Sequence, residues 1–146
     1  MSALSDELAN DPLGRLYSGM TDAEAAISLN FTDRPGPVPA KDVRRYLLLA
    51  GKWPGIVDAA STSTTEAVRL AAVNIIDTLA NFEDFDLQDA TVLAAVTAGL
   101  DGLIAVSLMD AAEKTVILAM ENNRQSRAQE IGAGRLYWHD VQKARA

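Results

Sequence analysis

Four carboxylates crowd into seven residues, Glu83, Asp84, Asp86 and Asp89. Oxygen ligands this close are what hard divalent cations take. A calcium loop also needs a glycine at its sharp turn and a distal glutamate, and "EDFDLQD" offers neither. Helix capping and a solvated turn account for all four acids. His139 beside Asp140 supplies the parts of an acid–base couple. Adjacent side chains seldom face each other, however, and no nucleophile sits in a recognisable motif nearby. His139 is expected to cap the last helix or to lie at an interface.

Other chemistry is missing too. Gly132-Ala133-Gly134 lacks the lysine and the strand–helix frame of a phosphate loop. The serine and threonine clusters have no G-x-S-x-G context. The chain has no cysteine and a single histidine, which excludes disulfides, cysteine-based metal sites and multi-histidine sites. The sequence therefore assigns no catalytic, metal or cofactor-binding residue, and the expectation is a protein that is not an enzyme.

The elements that would position any site are helical. The 146 residues are about half hydrophobic, enough for one domain with a real core. "SALSDELANDP" predicts a short helix stopping before Pro12. "LGRLYSGM" has no periodicity and should be irregular. Thr21 and Glu24 form a capping box opening a helix to about Leu29, with Ala23, Ala26 and Ile27 on one side. Pro35, Pro37 and Pro39 stiffen a connector, read as a loop inside one domain because the residues before it are too few for a core.

Helices follow from Ala40 to Gly51 and again from Pro54. Ser63 and Glu66 predict a capping box into a central helix with Val68, Ala71, Ala72, Ile75, Ile76 and Leu79 on its stripe. Asp86 should cap a helix from Leu87 to about Ala98, and "AGLDG" should be a turn before an apolar stretch from Leu103 to Met109. On that reading "TVLAAVTAGLDGLIAVSL" is two buried helices and not a membrane span. Asp110 and Glu113 predict a third capping box. A short helix ending at Gly132, a brief extended segment near 135–138 and a last short helix complete the chain. The fold class is all-α: a single domain over 1–146, a compact helical bundle with its core at 40–132 and extended arms at 1–39 and 133–146.

The net charge is −7, unevenly spread. Residues 61–110 hold eight acids and one base, whereas 111–146 hold four acids and six bases. An acidic middle and a mildly basic end are complementary between neighbouring copies. No concentrated basic face suggests a nucleic-acid groove. The N-terminus lacks the basic and apolar regions of a secretory signal.

Tyr17, Phe31, Trp53, Tyr137 and Trp138 mostly fall in irregular segments, with Arg15 and Arg135 nearby. Aromatics and arginine are the types that anchor protein interfaces. The residues expected to make interface contacts are Arg15, Tyr17, Trp53, Arg127, Tyr137 and Trp138.

Two stretches resemble a known family. "DPLGRLYSGMTDAEAAISLN" (Asp11 to Asn30) resembles the start of small proteins from tailed-bacteriophage structural gene clusters, which read DPLGRGYxGMTDxxAAxxLN. "SRAQEIGAGRLYWHDVQKARA" (Ser126 to Ala146) resembles the family's SRAxELG stretch and D-V-x-x-AR close. "DVRRYLLLAGKWPGI" corresponds loosely to a middle helix. Leu16 stands where the family usually has glycine.

The resemblance implies a virion component of the neck, a head-to-tail connector or adaptor. Such a protein rings the portal, usually as a dodecamer, docks the next neck or tail protein, and lets viral DNA pass without specific binding. It would be assembled in the bacterial cytoplasm, with no membrane partner. A tail-completion or stopper protein of the same neck, and a small soluble helical binding module outside the virion, are the alternatives.

Overall fold

A computed structural model describes residues 2–146. In chain order the elements are α1 (Ala3–Asn10), α2 (Asp22–Asn30), β1 (Val38–Pro39), α3 (Ala40–Leu49), α4 (Trp53–Thr62), α5 (Glu66–Asn81), β2 (Asp84–Phe85), α6 (Ala90–Ala105), α7 (Ala111–Leu118), α8 (Arg127–Glu130) and α9 (Trp138–Arg145). Short 3₁₀ turns lie at Tyr17–Gly19 and Ala119–Glu121. The mainly-α class is as the sequence indicates.

The chain divides into two compact units. One joins the residues up to Pro35 with Asn122–Ala146, and the other is the continuous segment Gly36–Glu121. The N-terminal residues do not form a core by themselves. They share one with the C-terminal residues, so the proline connector lies where one unit gives way to the other. The two ends are not extended arms: each supplies part of one hydrophobic core.

In the second unit that core is built by Val43 and Leu47 of α3, Ile56 of α4, Ala72, Ile75 and Leu79 of α5, Leu100 and Leu103 of α6, and Ile117 of α7. The α5 stripe is the expected one. Its start is not. Thr65 precedes the helix without a side-chain cap, while α4 runs on to Thr62 and Ser63 closes it. The Ser63 hydroxyl instead accepts from the Thr65 amide at 3.3 Å, in a local turn.

Helix α6 also departs from expectation. It begins at Ala90, capped by the Asp89 carboxylate, which accepts from the amides of Thr91 and Val92 at 2.9 and 3.1 Å. It then runs unbroken through "AGLDG". Gly99 faces α5 inside it, where a Cβ would make ordinary contacts with Asn74 at 3.7 Å and Ile75 at 3.8 Å. Asp101 is held on the exposed side by Lys114 at 2.6 Å. No helix among the described residues is long and apolar enough to cross a membrane.

The capping box at α7 forms as expected, the Asp110 amide donating to Glu113 Oε1 at 2.8 Å. A two-residue antiparallel pair, Val38 with Phe85 and Pro39 with Asp84, ties the start of α3 to the acidic turn. Among the described residues no group of carboxylates and imidazoles is arranged to hold a metal ion.

Candidate protein interface

The first unit is knitted by long-range polar contacts over a small apolar core of Leu4, Tyr17, Ala25, Ala26, Leu29, Ala128, Leu136 and Val141. It starts from the irregular lead-in. The Asp11 carboxylate accepts from the amides of Arg15 and Leu16, both at 2.7 Å. That folds the segment back on itself, and Gly14 and Leu16 take left-handed conformations, φ 64° and 65°. Glycine adopts this conformation freely, whereas an L side chain is strained there. Leu16 is also 72% exposed, so its side chain gains little packing in return. Leu16→Gly is therefore expected to raise stability by about 0.5–1 kcal/mol, the relief of strain less the entropy glycine adds to the unfolded chain. A higher urea midpoint at unchanged slope checks it; a lower midpoint would mean the leucine packs usefully.

Tyr17 is 1% exposed. Its hydroxyl donates to Glu7 Oε1 at 3.2 Å. Arg127, from the start of α8, grips the same carboxylate with two nitrogens, Nε to Oε1 at 2.9 Å and Nη2 to Oε2 at 2.8 Å. It also bonds Glu130, which in turn accepts from Arg34 Nε at 3.2 Å. The hydrogen bond to Glu7, opposed by burial and reinforced by Glu130, holds the Arg127 proton more firmly than usual. Burial works against the Glu130 charge, but the bonds from Arg127 and Arg34 outweigh it and hold its carboxyl below the usual range.

Arg15 spans to the end of α2, donating to the Ser28 carbonyl at 2.6 Å and to Asp33 at 2.8 Å. Arg145 closes the unit from the other terminus, on the Tyr17 carbonyl at 2.5 Å and Asp22 at 2.7 Å. Among the described residues no buried side-chain nitrogen or oxygen lacks a partner.

This geometry corrects the sequence reading of the interface. Arg15, Tyr17 and Arg127 are not surface anchors, because their contacts are spent inside the unit. Trp53 belongs to the second unit, where it opens α4 and packs on that core. Tyr137 and Trp138 do stand out, 53% and 55% exposed. The backbone there is extended at Tyr137 but pairs with no strand; it leads into α9, where the Tyr137 amide donates to Asp140 at 2.8 Å. His139 is not the cap. Its ring stacks parallel to Tyr137 at 5.7 Å and edge-on to Trp138 at 5.8 Å.

No family model, curated protein or solved structure matches the chain.

The exposed surface extends beyond the two aromatics. Arg135 sits 5.8 Å from the Tyr137 ring centroid, a cation–π distance. It also lines a hollow with Ile27, Phe31 and Gln129. A second hollow, bounded by Arg15 and Asp33, lies against the same Ile27 and Phe31. Those two side chains, 71% and 67% exposed, form a ridge with a depression on either side.

Ile27 was expected on the buried side of α2. Ala25, Ala26 and Leu29 occupy that side instead, which turns Ala23 and Ile27 outward. The signal was available: Leu29 is the larger anchor of the short helix, and Ile27 is two residues from it, on another face. An aromatic stack with an arginine beside an apolar ridge has the composition of a binding surface.

Proposed function

We propose that the chain is a structural component of a tailed-bacteriophage virion, a connector of the neck. It assembles with copies of itself, binds the portal on one side and receives the next neck or tail protein on the other. It is made in the bacterial cytoplasm and resides in the virion.

One observation carries the reading. The two stretches that resemble the family, Asp11 to Asn30 and Ser126 to Ala146, lie far apart in sequence and fall in the same unit. The resembling residues have specific roles there: Asp11 folds the lead-in, Tyr17 and Arg127 meet on Glu7, and Ser126 caps α8. Leu16, where the family usually has glycine, takes the backbone conformation that glycine prefers. That the resembling stretches follow one packed unit supports the reading of a family relation, and the neck role rests on that reading.

The exposed surface of Phe31, Arg135, Tyr137 and Trp138 suits docking on a partner protein. The net charge of −7 suits a wall past which DNA slides without sticking.

Mass spectrometry of purified virions tests the reading. The chain is expected in mature particles, and its absence would sink the neck role. The surface is tested separately by the double variant Phe31→Ala, Trp138→Ala. Truncating anchors of this kind should weaken binding to purified portal by about thirtyfold or more, with an unchanged Tm. Unchanged binding would move the docking surface elsewhere.

A further inference from the structure

The second unit carries twelve acids and six bases, and half of its bases are unevenly placed. Lys41, Arg44 and Arg45 are exposed on the first turns of α3, with no ion pair or side-chain hydrogen bond among the described residues. Across a groove from Lys41 and Arg44 lie Glu83 and Asp84, also exposed and unpaired. The β1–β2 pairing and the bond from the Ala40 amide to the Glu83 carbonyl, 2.9 Å, fix the two rims side by side. Between them the groove is apolar, lined by Leu79 and by Phe82, which is 55% exposed.

We infer that this groove binds a second copy of the same chain about a two-fold axis. A surface with a basic rim, an apolar floor and an acidic rim is self-complementary under a half-turn. Rotation sets Lys41 and Arg44 of one copy against Glu83 and Asp84 of the other, twice, and brings the two Phe82 rings onto the shared apolar floor. A basic partner would be repelled by one rim and an acidic partner by the other. A copy of the chain satisfies both. The contact is isologous and closes at two copies, unlike the heterologous contact of a ring. It rests on the second unit alone and does not depend on the neck reading.

Charge exchange with sedimentation equilibrium tests it, using the full chain at tens of micromolar. The wild type is expected to be a dimer. K41E/R44E sets acid against acid twice, and E83K/D84K sets base against base twice. Each should weaken association by about tenfold or more, since like charges face each other, with an unchanged thermal melt. Mixing the two variants should restore a dimer containing one copy of each, because every rim then meets its opposite. Combining all four changes in one chain should restore the homodimer. A monomeric wild type, variants that associate like the wild type, or a mixture that stays monomeric would overturn the proposal. Presence in or absence from virions has no bearing on these outcomes.

Discussion

Arg127→Ala is expected to cost about 3–5 kcal/mol of stability, the cost of breaking a buried ion pair by removing one partner. Glu7 is 4% exposed and has two charged bonds from Arg127 and one bond from the Tyr17 hydroxyl. Without the guanidinium a buried carboxylate keeps only the tyrosine, and it must either stay charged in a poor environment or take up a proton. Glu130 loses a partner at the same step but keeps Arg34.

Thermal and urea unfolding measure the loss. Amide exchange should place it in α1, α2, α8 and α9. The control is the double change Glu7→Gln, Arg127→Met, which removes the charge together with its counter-charge and should recover a good part of the loss. Equal loss in the single and double variants would mean that Arg127 acts through packing alone.

Tyr17→Ala comes close behind, at about 3–5 kcal/mol, as for other buried aromatics truncated to alanine. The ring fills the centre of a small core, and few large side chains stand ready to close the gap. Tyr17→Phe keeps the ring and gives up only the bond to Glu7, about 1–2 kcal/mol. Comparing the two separates packing from hydrogen bonding. Loss of assembly at unchanged stability in Tyr17→Ala would return the residue to the surface.

The phenol also gives the unit a pH signature. Burial first, and then the Glu7 charge, push its pKa well above the ordinary 10.0. A group whose folded pKa is raised contributes stability that is whole below its unfolded pKa and fades as pH climbs above it. The first unit should therefore weaken above pH 10, and Tyr17→Phe should remove that part of the alkaline loss. Glu130 acts at the other end: its carboxyl is held low, so its contribution is present at neutral pH and is lost as acid protonates it.

Much of the helix plan was legible because the signals are local. Pro54 at the start of α4, Gly51 after α3 and the Asp110–Glu113 box each act within four residues. Other boundaries were misread. "AGLDG" looks like a turn, but neither glycine takes a left-handed conformation and α6 runs through both. Ser63 looks like a cap until α4 is seen to run to Thr62. The pairing of β1 with β2 involves two residues on each side, too few for any alternation to show.

The interface misreading comes from a partner far along the chain. An arginine and a tyrosine in a segment without periodicity suggest exposure, since an irregular backbone usually needs water. Here Asp11 satisfies the amides on one side and Arg145 the carbonyls on the other, so Tyr17 is buried while Leu16, Ser18 and Gly19 around it stay exposed. Arg145 lies more than 120 positions away, and nothing near Tyr17 in the sequence announces it. Tyr137 and Trp138 stay exposed because the aromatic run holds more bulk than one short helix covers.

The division of the first unit between two distant stretches also sets a timetable. A ribosome delivers α1 and α2 first, and then must make all of residues 36–121 before α8 and α9 exist. At roughly 5–20 residues per second that delay is on the order of ten seconds. Throughout it Tyr17, Leu29 and the Glu7 carboxylate lack their seats on α8 and α9, whereas by its end the continuous segment in between has made its own core residues. Val141 and Arg145 emerge after the whole of that segment and complete residues made before it, so a chain released between them would carry an unfinished first unit.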